Sequence, residues 1–203
     1  MKAALVVLSL LGTVLGQVPT PCQSPNQWEA RERVVEFGKN FEEYHKIYYD
    51  GSSGRERNIA EVEDNSSREF FDILTLYNEN KRYSINMKTR QCNVSAINRP
   101  FRHRGVPPNA MFNNIFTLGA TGFSGEFITV QDFVANVTFG SFHEEYFGFV
   151  TSPLCVPVTN FYYNPAENTK SAVSYYDLKV GITDPMMFVP PPECIKAERN
   201  MSH

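Results

Sequence analysis

Short runs of apolar, aromatic and β-branched residues, each ending at a cluster of Gly, Asn, Pro or Asp, fill this chain from Tyr44 onward. They lie at 44–49, 57–63, 71–77, 82–87, 125–130, 146–151, 156–163 and 172–182, with an earlier run at 31–37. Alternating segments of this length between turn-forming clusters read as antiparallel β structure. Asp50-Gly51-Ser52-Ser53-Gly54 joins the first two runs as a hairpin, because glycine tolerates the positive φ of tight turns, and Asn78-Glu79-Asn80-Lys81 does the same for the next pair. Helix is the minority state, and one short helix is expected within 129–137, where Gln131 and Asp132 open an apolar segment.

Within these strands the alternation has a consequence for the interior. In 71–77, one face carries Phe71, Ile73, Thr75 and Tyr77 and the other carries Leu74 and Leu76, with Phe70 just before, so both faces are apolar. In 172–182, strict alternation puts Tyr176, Leu178, Val180 and Ile182 on one side and Tyr175, Asp177 and Lys179 on the other. A strand apolar on both faces lies between layers or lines a hydrophobic cavity. The 16 Phe and 10 Tyr in 203 residues supply material for either, within a single domain.

The first residues combine Lys2, an apolar run at 3–15 and small residues at its end, followed by the polar segment QVPTPCQSP. That pattern predicts a signal peptide over 1–16 and a single exported domain over 17–203. No later run approaches the length needed to span a bilayer. Export places Cys22, Cys92, Cys155 and Cys194 in an oxidising compartment, where four cysteines imply two disulfides, with three pairings open. No two cysteines share the close spacing of a thiolate zinc site. Each bridge closes a long loop, worth roughly 3–5 kcal/mol in the chain-entropy model. Sequons at Asn65, Asn93 and Asn136 are candidate N-glycosylation sites, and Asn200, near the C-terminus, is the poorest.

A net charge of −3 argues against a nucleic-acid partner. The stretch 98–114, with three prolines and the basic cluster Arg99, Arg102, His103 and Arg104, reads as an ordered loop or lid, or alternatively as a solvated basic connection. The chain contains no G-x-S-x-G elbow, H-E-x-x-H helix or phosphate loop, and no enzymatic activity is expected. His143-Glu144-Glu145 does not form a cluster, since neighbours on a strand point to opposite faces. For calcium, Asp50, Asp177 and Asp184 are conceivable loop ligands, although a hairpin at Asp50-Gly51 and a turn at Asp184-Pro185 explain two of them without a cation.

Several motifs occur together in a fixed order: Pro21-Cys22-Gln23-Ser24-Pro25, then Gln27-Trp28-Glu29, Tyr49-Asp50-Gly51, Thr89-Arg90-Gln91-Cys92 and Cys155-Val156-Pro157-Val158. The C-terminal stretch adds Asp177-Leu178-Lys179-Val180-Gly181-Ile182-Thr183-Asp184-Pro185, Phe188, Pro190-Pro191 and Cys194. In this combination the chain resembles the ependymin-related secreted glycoproteins.

The resemblance implies a mainly β fold: two curved antiparallel sheets forming a sandwich or half-barrel around a deep hydrophobic pocket, similar to bacterial lipoprotein carriers, with one or two short helices. It implies the pairs Cys22–Cys155 and Cys92–Cys194, and a secreted or lysosomal homodimer associated with calcium. The first functional expectation is binding of a fatty acid, lipid or other hydrophobic molecule by Phe71, Ile73, Tyr77, Phe147, Phe149, Tyr176 and Leu178, with Asp177 and Asp184 as candidate calcium ligands. The alternative is a calcium-dependent extracellular-matrix or cell-adhesion glycoprotein with no pocket ligand.

Overall fold

The computed structural model describes residues 18–97, 100–139 and 142–201. The expected signal peptide, Arg99 of the basic cluster and the Asn200 side chain lie outside the described residues. Eleven strands follow one another in one hydrogen-bonded order, β6-β5-β4-β3-β2-β1-β11-β10-β9-β8-β7, forming a curved antiparallel sheet that does not close. They are β1 (Gln27–Phe37), β2 (Phe41–Asp50), β3 (Arg55–Asp64), β4 (Ser67–Leu76), β5 (Lys81–Asn86), β6 (Cys92–Ser95), β7 (Met111–Gly119), β8 (Phe127–Phe139), β9 (Phe142–Thr151), β10 (Pro157–Asn164) and β11 (Thr169–Val180). Among the described residues there is one α-helix, α1 (Pro192–Met201), after the last strand. The expected mainly β architecture is therefore present, with one continuous curved sheet in place of the two expected sheets.

The turns follow from their residues. Between β2 and β3 the buried Asp50 carboxylate accepts the Ser53 N–H at 3.2 Å, and Gly54 takes φ +56°. Asn80, at φ +53°, closes the 3-10 turn Tyr77–Glu79, so Tyr77 belongs to that turn and not to β4.

Three local expectations are corrected. Residues 129–137 are not helical: they lie in β8, paired with both β7 and β9, where Thr129, Val130, Val134, Val137 and Thr138 suit a two-sided ladder better than a helix. The expected loop at 98–114 ends earlier, because β7 begins at Met111. Its register shifts between Phe112 and Asn114, where Asp132 accepts the Asn114 N–H at 2.6 Å and the Asn113 amide at 2.9 Å, which hides the alternation.

The third correction concerns β11. Asp177 stands at φ +52°, and Asp177 and Leu178 together oppose Ala30 on β1. This bulge reverses the alternation, so Leu178 joins Tyr175 in the cluster around Trp28, and Tyr176 is left on the opposite face.

Register defines the two faces, since directly opposed residues share one. The Trp28 face carries Trp28, Ile47, Tyr49 and Tyr175 in its centre and Phe133, Ala135 and Tyr146 toward β8 and β9. β6 and β7 are the two edges of the sheet, so the chain between them must cross it. That crossing segment lies on the Trp28 face: Phe101 stacks on Tyr49 at 6.1 Å, and Val106 and Ala110 pack among Phe133, Ala135 and Tyr146. It is an ordered strap.

Among the described residues the other face is covered only toward its β6 edge, where Tyr48, Leu74, Tyr83 and Ile85 pack under Phe188 and the Cys92–Cys194 disulfide. The second disulfide, Cys22–Cys155, ties the N-terminal segment to the end of β9. Both pairs are those the resemblance implies.

Candidate functional site

Two cavities lie against the sheet. The first, of about 380 Å³, is lined by Phe37, Met111, Val134, Phe147, Phe161 and Tyr163, with Lys170 beside them. Its size is that of a small-molecule site, ~300–1,000 Å³. Register places Phe147, Val134 and Phe161 directly opposite one another on three successive strands, on the face away from Trp28. From there a row of rings continues: Phe147 to Phe149 at 4.8 Å and Phe149 to Phe116 at 5.1 Å, both edge-on. The Lys170 ammonium sits 5.3 Å from the Tyr163 ring centroid. The cleft is thus an apolar trough with one cation, Lys170, and one anion, Glu145, at its border.

The second cavity, of about 790 Å³, lies beneath the strap on the Trp28 face and is lined by Tyr77, Phe101, Arg102, Glu144, Tyr146 and Tyr162 among others. It is polar because a chain of buried groups crosses its floor. The Tyr146 hydroxyl donates to Asn160 Oδ1 at 3.2 Å, and Asn160 Nδ2 donates to the Tyr175 hydroxyl at 3.4 Å. Arg104 donates to the same hydroxyl at 3.4 Å and grips Glu56 with Nε and Nη2 at 3.1 and 3.2 Å. Its Nη1 also lies 3.5 Å from Glu32, whose other oxygen is 3.5 Å from His45.

The electrostatics of this chain are those of a lock. Burial disfavours the charged guanidinium of Arg104, yet Glu56 and Glu32 outweigh it and hold the proton tightly. Burial likewise opposes a charge on His45, but hydrogen bonds to Glu32 and Glu43 carry it up to about 9. Burial, more than any neighbouring charge, pushes the Tyr146 and Tyr175 phenols well above their ordinary range. Gly148 is needed here, because a Cβ would stand 2.0 Å from the Tyr146 hydroxyl oxygen.

The expected pocket residues divide between the faces. Phe147 lines the apolar cleft, Phe149 packs on it, and Tyr176 shares that face farther along β11. Phe71 and Ile73 point to the Trp28 face, since they oppose Ala60 and Asn58. Tyr77 lines the larger cavity and meets Phe101 edge-on at 5.1 Å, while Leu178 packs near Trp28. Phe37, Met111, Val134 and Phe161 were not singled out from the sequence. Phe161 was within reach, because it is in phase with Tyr163 in the run 156–163.

The acidic candidates are each engaged. Asp177 pairs with Arg31, Asp184 accepts the Met186 N–H at 2.9 Å as the cap of a 3-10 turn, and Asp50 pairs with Arg55 at 2.8 Å. Among the described residues no three His, Cys, Asp or Glu side chains converge as a metal site. His143 meets Thr138 at 3.1 Å, Glu144 faces Arg102 at 3.6 Å, and Glu145 borders the apolar cleft. The sequon residues Asn65, in a turn, Asn93, on the edge strand β6, and Asn136, on β8, are all exposed.

The chain is thus an open, curved antiparallel β-sheet protein with an apolar trough on one face and a strap on the other. The ependymin family model matches residues 65–194, and the chain belongs to that family. It is 28% identical over 184 residues to mammalian ependymin-related protein 1 of Mus musculus, spanning 89% of this chain and 79% of the relative. It is 23% identical over 174 residues to ependymin of Notemigonus crysoleucas, spanning 86% and 79%. Its fold resembles the crystal structure of an uncharacterized conserved protein from Thermus thermophilus, with a TM-score of 0.53, 10% identity and 84% and 88% of the two chains covered.

Proposed function

We propose that this protein is an exported binding protein that holds the apolar chain of a fatty acid or similar lipid in the cleft on its Phe147 face. The observation that carries this reading is the cleft itself: Phe147, Phe161, Val134, Met111 and Phe37 converge on about 380 Å³ of space that none of the described side chains fills. Apolar side chains left at an open cleft remain hydrated until an apolar ligand displaces that water. Lys170, at the border, supplies the charge that suits a carboxylate head.

Two disulfides and three exposed sequons support an extracellular or lysosomal setting. Among the described residues no helix is long and apolar enough to cross a membrane. The test is titration of the intact protein with a fluorescent long-chain fatty acid. Phe147→Ala is expected to weaken binding roughly ten- to hundredfold, since one fully contacted ring is worth about 1.5–3 kcal/mol. A protein that fails to bind the probe, or a Phe147→Ala variant that binds it unchanged, refutes the assignment.

A further inference from the structure

Residues Gly119 through Thr129 are exposed without interruption, and they form the end of the β7–β8 hairpin. The first β8–β9 rung joins Val130 to Thr151, so this end of the hairpin projects past the rest of the sheet. It is nevertheless a built structure. The Ala120 N–H donates to the Glu126 carbonyl at 2.9 Å and the Glu126 N–H to the Phe123 carbonyl at 3.2 Å. Gly119, at φ +101°, leaves room for the Glu126 carbonyl where a Cβ would stand 2.1 Å away.

The composition of this projection is unusual for an exposed turn. Phe123, at the tip, is 69% exposed. Register puts Phe127 on one face and Ile128, opposite Leu118, on the other, and Phe127 and Ile128 are 43% and 45% exposed. Glu126 is the only charged residue between Met111 and Gln131. A second copy pairing along the β7 edge, or a partner protein laid on the sheet, would cover one face. A hairpin that holds an exposed ring, Phe123, at its tip and apolar side chains on both faces, with Glu126 its one charge and no cation, is instead matched to surroundings that are apolar on every side and carry no net charge.

The Ile128 face also leads inward. Past Leu118 and Ile128 come Phe116 and Val130, then the rings of Phe149, Phe147 and Phe161, spaced 4.8 to 5.8 Å apart, and the last two line the cleft. We propose that the β7–β8 hairpin dips its tip into the interfacial layer of an electrically neutral phospholipid surface, and that the Phe116–Phe149–Phe147–Phe161 row conducts an apolar chain between that surface and the cleft. The conduction half rests on the cleft's proposed role; the docking half stands without it.

Flotation of the full, disulfide-bonded protein with phosphatidylcholine vesicles tests the docking. The wild type floats, to the same extent at low and high salt, because no ion pairing is involved. Phe123→Asp reduces the floating fraction roughly fivefold or more, while Phe123→Trp keeps it and its emission shifts to the blue on vesicles. Binding of a dissolved fatty-acid probe is unchanged in Phe123→Asp, whose substituted side chain lies in solvent, but uptake of the probe from vesicles slows. Failure of the wild type to float, or unchanged flotation of Phe123→Asp, overturns the docking. So does loss of a dimer in sedimentation on the same substitution, which would assign the hairpin to a second copy. If the wild type floats yet binds no dissolved probe, the cleft's role and the conduction fall, and the docking stands.

Discussion

The two halves of the sheet are made of similar strands but are covered differently. Toward β6, both faces are packed: the strap lies over Tyr49 on one side, and Phe188 with the Cys92–Cys194 bridge lies over Leu74 and Tyr83 on the other. Toward β7, the described residues cover only the Trp28 face, with the strap and the Cys22–Cys155 bridge, and the helix α1 packs on β5 and β6, far across the sheet. The rings of Phe147, Phe149 and Phe161 therefore stay half-buried where their counterparts toward β6 are sealed. One half spends its apolar surface on stability, and the other keeps some of it available to a ligand.

The sharpest way to break this contrast is to cut the lock on the strap. Arg104→Ala leaves the nearly inaccessible Glu56 without its cation and Glu32 with His45 alone, and a loss of about 3–5 kcal/mol is expected in denaturant unfolding. A loss under about 1 kcal/mol would show that the strap is held by apolar packing alone.

A paired substitution then compares the halves directly. Leu74→Ala, in the sealed half, should cost ~2–5 kcal/mol of stability with no change in fatty-acid affinity. Phe147→Ala, in the open half, should do the reverse: its main effect is on affinity and its stability cost is the smaller of the two. Equal stability losses from the two would erase the distinction.

The smallest effect is in pH. His45 is carried from 6.5 up to about 9 in the folded protein, so its contribution is complete below pH 6.5 and is lost as pH rises through about 9. Across that window the melting temperature should fall by ~2–4 °C for each kcal/mol lost, the scale for a domain of about 150–250 residues. His45→Gln should flatten the curve, and an unchanged slope in that variant would remove His45 from the network.

Much of the strand content could be read locally. Asp50-Gly51 and Asn80 mark turns because their side chains or backbone freedom favour them, and runs such as 146–151 and 156–163 are rich in aromatic and β-branched residues between turn-forming clusters. Where a bulge intervenes, the reading slips: at Asp177 one extra residue moved Leu178 to the Trp28 face, and at Asn113 another disguised β7. The segment 129–137 failed for a different reason, since its apolar residues fit a helix or a buried strand equally well until two neighbours supply the hydrogen bonds. Of the site, Phe147 and Phe149 were found and Phe37 and Met111 were not, because the last two come from the ends of distant strands and meet the cleft only through the curvature of the sheet.

By itself, then, the sequence determined the β class, most of the turns and the apolar content of the strands, since each depends on residues within a few positions of one another. The tertiary structure decided which apolar face is sealed and which is left open. That choice depends on the path of two covering segments, the strap between opposite edges and the C-terminal turn, and a period-two pattern says which residues share a face without saying what will lie over it.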